Sequence, residues 1–330
     1  MLRCFIFFTC LFSNLISAQI SDFESVDFLK SEINAKKNRG ASLSNLPVLA
    51  FQLTANLDSE VEKFRAIYMW VCQNISIDAS QGDRVIAKRK KYQKDSLAYI
   101  EWNKANRKKS LKKLLKQNRT VCTGYAYLVK QLCQLVNIDC YIVDGFGRTT
   151  QSNIKSLDFI NHSWNVVRLN NKWYLCDATW ASGFSLNGVY VPKYNDGYFL
   201  TDPVLFAKNH FPFEKKWFLN DSISQLKFKP EPIIYDETLN KQIIPIIPND
   251  LETTIQKNKT ISFNLKKLNN QTFQKINLFY YTGKGERKLK IENLKQTSQD
   301  LSFTTKLKHR GHYDLHLKID GIIVGTLKFN

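Results

Sequence analysis

A cysteine at the start of a segment with helical periodicity is the first residue in this sequence that could do chemistry. Cys122 begins CTGYAYLVKQLCQLV, in which apolar residues recur at the spacing of one helix face. The unpaired N–H groups and the positive dipole end at a helix start favour a thiolate. A thiolate is the form of cysteine that attacks an acyl carbon, so Cys122 is predicted to be a nucleophile.

A predicted hairpin supplies a histidine and an aspartate. NHSWNVVRL and KWYLCDATW are β-type runs joined at Asn170-Asn171, a pair that tolerates the positive φ angles of a type I′ turn. With a two-residue loop the opposed residue numbers sum to 341, which makes His162 and Asp177 diagonal neighbours on one face. His162 could then take the thiol proton and return it to a leaving group, while Asp177 fixes the imidazole tautomer.

The surrounding pattern predicts the elements that must hold these groups. Residues 58–76 read as an amphipathic helix capped by Asp58, and residues 120–219 as a compact α/β segment. After residue 250, short runs alternate apolar and polar residues, and Asp320-Gly321 is a hairpin turn signal. The predicted fold class is α+β, with an all-β sandwich at the C-terminal end.

The composition changes along the chain divide it into parts. Four of the eight prolines fall between residues 230 and 248, which is typical of a linker or a domain edge. The polar residues 19–40 are expected to tether or fray. The predicted parts are a signal peptide (1–18), an N-terminal extension (19–57), a catalytic domain (58–228) with a basic insertion (82–119), a Pro-rich linker (229–250) and a β-sandwich (251–330).

The first eighteen residues have the features of a secretory signal. Arg3 precedes the apolar stretch 4–16, and the small residues Ser17-Ala18 precede Gln19, so cleavage near Ala18 and export to the periplasm, cell surface or medium are expected. No later stretch reaches 18 apolar residues, so no transmembrane span is expected in the mature chain. Five cysteines remain, and an odd number in an oxidising compartment leaves at least one thiol unpaired.

The charge is concentrated in the insertion. The chain carries 48 Lys and Arg against 29 Asp and Glu, and residues 82–119 hold fourteen of the basic residues and three of the acidic ones. The insertion is either a solvated basic helical segment or a surface that binds an anionic envelope or glycan polymer. Nucleic acid is not expected, because no nucleic-acid-binding motif accompanies the charges and export is predicted. No cysteine or histidine spacing suits zinc, so no metal or cofactor is predicted.

Three blocks, taken in order, resemble a known family. VCTGYAYLVKQLCQLVNIDCYIVDGFG, NHSWNVVRLNNKWYLCDATWASG and YFLTDPVLFAKNHFPFEKKW are similar to the core of the transglutaminase-like superfamily of papain-like cysteine enzymes, most closely its kyphoscoliosis-peptidase-type branch. By position, the resemblance implies Cys122 as nucleophile, His162 as base and acid, and Asp177 as orienting carboxylate. The chain has Arg119-Thr120 where a Gly or Lys-Gly commonly precedes the nucleophile, which bears on substrate access.

Two functions from different classes follow. The first is an exported, cofactor-free enzyme that transfers acyl groups from protein or peptide amides through a thioester on Cys122, with hydrolysis slightly preferred over crosslinking. Its oxyanion hole would include the Cys122 N–H, and Trp70 and Gln117 are candidates for the second donor. The alternative is a non-catalytic transglutaminase-like protein that binds or scaffolds the cell envelope or extracellular matrix.

Overall fold

The computed structural model describes residues 19–225, 227–254, 259–307 and 311–329. The signal peptide predicted for residues 1–18 lies outside the described residues. Within the described part of the chain, no helix combines the length and apolar character needed to cross a membrane.

The N-terminal segment folds as helices on the core. Its elements are a 3₁₀ helix (Ile20–Phe23), α1 (Leu29–Lys37), α2 (Leu46–Thr54) and α3 (Glu60–Asn74). Phe23, Ala35 and Leu53 are buried in the same hydrophobic core as α3. The expectation that residues 19–40 fray is therefore wrong, because their few apolar side chains are enough to anchor α1 on α3.

Helix α3 is buried on most of its surface and crosses the centre of the first core. It begins one residue later than the sequence predicted. Ser59, not Asp58, is the N-cap: its hydroxyl accepts the Glu62 N–H, and the Glu62 carboxylate accepts the Ser59 N–H at 3.0 Å. This capping box satisfies two N–H groups that a lone Asp58 would leave partly unpaired.

The basic insertion is helical, as predicted. Two helices form it and two short strands flank them: β1 (Ser76–Ile77), α4 (Ala79–Tyr92), α5 (Ser96–Gln117) and β2 (Arg119–Thr120). β1 pairs in parallel with β2, so the chain leaves and re-enters the core at one place. The buried Asp78 caps α4 and forms an ion pair with Lys113 of α5, which ties the two helices together at their base.

The chain continues with a helix packed on an antiparallel sheet. Its elements are α6 (Cys122–Leu135), β3 (Cys140–Gly147), β4 (His162–Leu169), β5 (Lys172–Cys176), α7 (Ala178–Ser182), β6 (Gly183–Leu186), β7 (Val189–Pro192), a 3₁₀ helix (Asp196–Tyr198), α8 (Pro203–Phe206), β8 (His210–Pro212), a 3₁₀ helix (Lys215–Phe218) and α9 (Asp221–Ser224). The sheet order is β5-β4-β3-β8, and β6 pairs with β7. α6 packs on β3 and β4, and α3 packs on α6.

The C-terminal part consists of two sheets around a second core. Its elements are β9 (Ile233–Ile234), α10 (Asp236–Asn240), β10 (Ile243–Ile247), β11 (Glu252–Thr253), β12 (Thr260–Lys267), β13 (Ile276–Thr282), β14 (Gly285–Leu289), β15 (Glu292–Gln296), β16 (Asp300–Lys306), β17 (Tyr313–Ile319) and β18 (Ile322–Phe329). One sheet has the order β10-β12-β16-β15 and the other β11-β18-β17-β13-β14, with β9 also on β18. Inward side chains of both sheets form the core, so the predicted sandwich is confirmed.

The segment predicted as a Pro-rich linker is part of both domains. β9 pairs with β18, and β10 pairs with β12 at the edge of its sheet. Ile243 belongs to the sandwich core and Ile244 to the first core. The segment is therefore not a free linker but the domain edge that the prolines also allowed: Pro245 lies in an edge strand beside a register shift, where a missing N–H is tolerated.

Candidate active site

Cys122 is the first residue of α6, where the sequence placed it. The half-buried thiol stands beside first-turn N–H groups that have no partner within the helix. Gly124 explains how the preceding strand comes so close: a Cβ at this position would overlap the side chain of the buried Thr120. The close approach that requires glycine at this position is thus made by the chain itself.

His162 is the first residue of β4, and its ring is fixed by its neighbours. The indole of Trp180 stacks on the imidazole with centroids 4.7 Å apart. On the β3 side, a Cβ on Gly147 would lie 2.9 Å from the His162 Cβ. The Asn161 side chain, in turn, holds the Gly147 backbone by accepting its N–H at 2.6 Å and donating to its carbonyl at 2.8 Å. The imidazole therefore has one available position.

The hairpin register predicted from the Asn-Asn turn is confirmed. Every paired position from Asn165↔Cys176 to Leu169↔Lys172 sums to 341, and both turn asparagines have positive φ. The second run, however, stops being a strand at Cys176. Asp177 reaches His162 as the N-cap of α7 rather than as a strand residue, since its carboxylate is needed by the N–H groups that follow.

Asp177 is fully buried, and both of its carboxylate oxygens are occupied. Oδ1 accepts the N–H groups of Thr179 and Trp180, at 2.8 and 3.2 Å. Oδ2 lies 2.7 Å from Nε2 of His162 and 3.0 Å from Nε2 of His210. The Nε2–H of His162 therefore donates to Asp177, which leaves Nδ1 as the ring nitrogen that can serve the Cys122 thiol.

His210 is a member of the site that the sequence did not single out. It lies on β8, at the opposite end of the sheet from β5, and is buried among aromatic rings, with Phe206 stacked at 4.1 Å. Its Nδ1 contacts the Asn209 side-chain amide at 2.6 Å. The only signal in the sequence was a histidine inside an apolar NHFPF run, which does not reveal its partner.

The electrostatics favour a thiolate on Cys122. Burial raises the pKa of the thiol, but the hydrogen bond from His162, its positive charge and the charge of Arg89 together lower the pKa to about 7. Burial likewise lowers the pKa of His162, yet the charge and hydrogen bond of Asp177 and the contact with Cys122 raise it to about 10. A thiolate and an imidazolium can thus coexist near neutral pH.

The second histidine beside this carboxylate is neutral. Burial raises the pKa of Asp177, but His162 and the His210 hydrogen bond outweigh it, so the carboxyl pKa is held well below its usual range. Burial lowers the pKa of His210 to about 4, and the nearby charge of His162 contributes in the same direction. Asp177 is therefore flanked by one charged and one neutral imidazole.

His162, Asp177 and His210 also form the one group of metal-ligating side chains found among the described residues. Their separations of 2.7 and 3.0 Å to a single carboxylate oxygen are those of hydrogen bonds. A zinc ion with bonds of about 2.0 Å would need these atoms spread around it, and it would take His162 away from Cys122. The geometry thus fits a proton relay better than a metal centre.

Arg89 is a second residue that the sequence did not single out, because it stands in a run of cations. It is 4% exposed, and its Nη2 donates to the Thr123 hydroxyl at 3.2 Å.

Of the two predicted oxyanion donors, Trp70 is wrong: its indole N–H lies in the core and donates to the Asn38 carbonyl at 2.7 Å. Gln117 is exposed at the last residue of α5.

Comparison with known proteins identifies this region. Residues 47–178 match the sequence model of the Transglutaminase-like superfamily, a span that contains Cys122, His162 and Asp177. This part of the chain is a transglutaminase-like core. The resemblance seen in the three sequence blocks is thereby confirmed, together with the mixed α+β fold.

Three curated relatives illustrate the similarity. The human kyphoscoliosis peptidase is 31% identical over 61% of this chain and 27% of its own length. Hillarin of Drosophila melanogaster is 23% identical over 64% of the chain and 25% of its own length. The Lim and transglutaminase domain protein ltd-1 of Caenorhabditis elegans is 24% identical over 72% and 31%. The chain thus spans between a quarter and a third of the length of these relatives.

Proposed function

We propose that this protein is a thiol-dependent acyl-transfer enzyme that cleaves protein or peptide amides through a thioester. The observation that carries the proposal is the His162–Asp177 hydrogen bond at 2.7 Å beside Cys122, where the influence of His162 lowers the thiol pKa to about 7. A buried thiol without such partners has a raised pKa, as the fully buried Cys72 and Cys176 do. The lowered pKa at Cys122 is therefore a property of this site.

The proposed reaction has two steps. The Cys122 thiolate attacks the amide carbonyl carbon, and the C–N bond breaks as the His162 imidazolium gives its proton to the departing amine. The neutral imidazole then takes a proton from water as the water oxygen attacks the thioester, which releases the acid and the thiolate. Asp177 stabilises the imidazolium and keeps Nδ1 directed at sulfur throughout.

Water is proposed as the acceptor in preference to a lysine amine. Water is present at every site, and the relatives named kyphoscoliosis peptidase take that name from peptide cleavage. The two acceptors give different products from the same thioester. Hydrolysis yields a free acid, whereas transamidation yields a new amide.

A trapping experiment tests the proposed function. The protein is incubated with a peptide mixture in water enriched in ¹⁸O, with a primary amine added, and Cys122 is examined by mass spectrometry for an acyl adduct. An adduct on Cys122 and ¹⁸O-labelled acids are expected, and Cys122→Ala should give neither. If neither an adduct nor cleavage is seen, the protein is a non-catalytic transglutaminase-like scaffold.

The basic insertion is proposed to bind an anionic envelope or glycan polymer. Nine of its cationic residues have exposed side chains in the described structure: Arg84, Lys88, Lys90, Lys91, Lys94, Lys109, Lys112, Lys116 and Arg119. Arg89, which the sequence suggested as one of these charges, is buried and is excluded from the surface. The exposed charges that remain are concentrated on two adjacent helices, which favours salt-dependent binding of a polyanion.

Charge reversal tests this partner. Changing Lys88, Lys90, Lys91 and Lys109 to Glu should weaken retention on anionic glycan or envelope material and leave turnover of a small peptide unchanged. The matched control reverses Lys284, Arg287, Lys288 and Lys290, which are exposed on the sandwich. Retention that survives both the insertion reversal and high salt would show that the insertion is only a solvated surface.

Export remains a proposal that rests on the pattern of residues 1–18. We expect the protein recovered outside the cytoplasm to begin at Gln19. Mass spectrometry of its N-terminal peptide measures this directly, and an intact Met1 on the recovered protein would contradict cleavage.

A further inference from the structure

A cavity of about 280 Å³ lies beside the nucleophile, between the basic insertion and the catalytic sheet. α4 and α5 contribute Arg89 and Ser110, and β3 contributes Asp144. Thr123 and Gly124, the two residues that follow Cys122 in the first turn of α6, form another part of the wall. The cavity wall thus begins at the residue after the nucleophile, and the charge of Arg89 is close enough to contribute to lowering the Cys122 pKa.

Arg89 is the unusual feature of the cavity wall. Its side chain is buried, and the hydrogen bond from Nη2 to Thr123 is the one that the structure gives it. Within the described part of the chain, its Nε and Nη1 have no hydrogen-bond partner. A buried guanidinium with unused donors costs free energy, so these donors are expected to serve a ligand.

The remaining charges of the cavity favour an anion. Lys130 of α6 adds a second cation. The first turn of α6, which carries the positive end of the helix dipole, also lines the cavity. Asp144 is the one carboxylate among the described lining residues, and it already accepts the Ser163 hydroxyl. Two cations against one carboxylate leave room for one further negative charge.

We propose that this cavity is a substrate subsite that binds a carboxylate through Arg89, so that the enzyme selects an acidic residue or a free carboxyl terminus close to the scissile amide. The planar guanidinium can form two parallel hydrogen bonds with a carboxylate, which gives orientation as well as affinity. The substrate class rests on the proposed function. The binding of a carboxylate next to Cys122 does not.

Alkylation of the thiol tests the subsite without any turnover. The Cys122 sulfur attacks the CH₂ carbon of iodoacetyl-glycine or iodoacetyl-glycinamide and displaces iodide. Only the first reagent carries a carboxylate. The ratio of their rates cancels the fraction of thiolate. We expect a carboxylate preference that saturates with reagent concentration and falls about tenfold in Arg89→Gln, the effect of one lost charge-assisted hydrogen bond.

Two comparisons isolate the role of Arg89. Arg39→Gln removes the same charge from an exposed position just after α1 and should leave the rate ratio unchanged. Lys130→Gln should lower the ratio by a smaller factor, which provides a second measurement if Arg89→Gln does not fold. Longer pairs built on iodoacetyl-β-alanine show how far the carboxylate must reach.

The outcomes separate this inference from the proposed function. A rate ratio near one for every pair, or a preference that persists in both Arg89→Gln and Lys130→Gln, would overturn the subsite. A selective, Arg89-dependent alkylation in a protein that cleaves no peptide would keep the subsite and reject the enzyme. For a cleaving enzyme, peptides with Glu should exceed their Gln counterparts in kcat/KM by a factor that Arg89→Gln removes.

Discussion

The His162–Asp177 relay and Arg89, on the two sides of the candidate active site, differ in how completely their polar groups are paired. On the sheet side, both Asp177 oxygens are occupied, and His162 is fixed by Trp180 and the Gly147 backbone. On the helix side, the buried Arg89 donates a hydrogen bond through Nη2, whereas its Nε and Nη1 have no hydrogen-bond partner in the described part of the chain. Since buried polar groups are normally satisfied, the two sides have different tasks.

The difference indicates which side meets the substrate. A fully paired network holds one geometry, which is what a proton relay needs. Unpaired donors beside a cavity are suited to a ligand that arrives from solution. Changes on the sheet side should therefore affect the chemistry for every substrate, and changes on the helix side should affect the choice among substrates.

The largest expected effect comes from removing the nucleophile. Cys122→Ala should reduce turnover to the uncatalysed rate for all substrates, with the thermal midpoint little changed because the half-buried thiol contributes little packing. The matched variant Cys140→Ala should show the reverse pattern, since Cys140 is buried in the core and free. Peptide cleavage and calorimetry measure both. Turnover that persists in Cys122→Ala would remove the enzyme hypothesis.

Asp177→Asn should produce the next largest loss, on the order of 10⁴-fold in kcat, because the amide no longer selects the tautomer that directs His162 Nδ1 to sulfur. Steady-state kinetics on a small peptide measures it. Asp139→Asn, which alters an exposed aspartate in a surface ion pair with Arg168, serves as the control. If both variants retained similar kcat values, Asp177 would be only a helix cap.

His210 should have an intermediate effect as a positioning residue. His210→Phe keeps an aromatic ring in the pocket but removes the hydrogen bond to Asp177, and kcat should fall about tenfold with KM unchanged. His210→Gln restores a donor and should recover part of the loss. A purely structural role predicts the opposite order, with the ring of Phe tolerated better than Gln.

The smallest expected effect is the dependence of the reaction rate on pH near neutrality. The reactive form needs a thiolate and an imidazolium, so the rate should rise as pH passes about 7 and fall as pH passes about 10. Alkylation of Cys122 by iodoacetamide follows the rising limb without a substrate. In His162→Gln that limb should move to higher pH, because the hydrogen bond and charge that lower the thiol pKa are lost. An unshifted limb would show that His162 is not the partner of Cys122.

The parts of the site that could be predicted are those specified by local rules. Asn170-Asn171 fixes the hairpin register, because a two-residue turn leaves one pairing available. Cys122 could be placed at a helix start from the apolar periodicity that follows it. These signals lie within a few residues of the groups that they position.

The parts that could not be predicted depend on contacts between distant residues. His210 meets Asp177 across 33 positions of sequence, and nothing around it distinguishes this role from core packing. Arg89 is one cation in a basic run, and only its burial and its hydrogen bond to Thr123 of α6 separate it from its solvated neighbours. The prolines of residues 229–250 suggested a linker because proline content alone does not reveal an edge strand.

The strand β10 has a consequence for how the chain can be divided. Its neighbouring residues Ile243 and Ile244 face different cores, and Ile234 and Leu239 also pack in the first one. A truncated chain ending at residue 228 would lose three side chains from the first core. The free energy of unfolding would fall by about 1.5 to 3 kcal/mol for each buried apolar side chain. Heating should accordingly melt the intact protein in one transition, because neither domain has a complete interior without this strand.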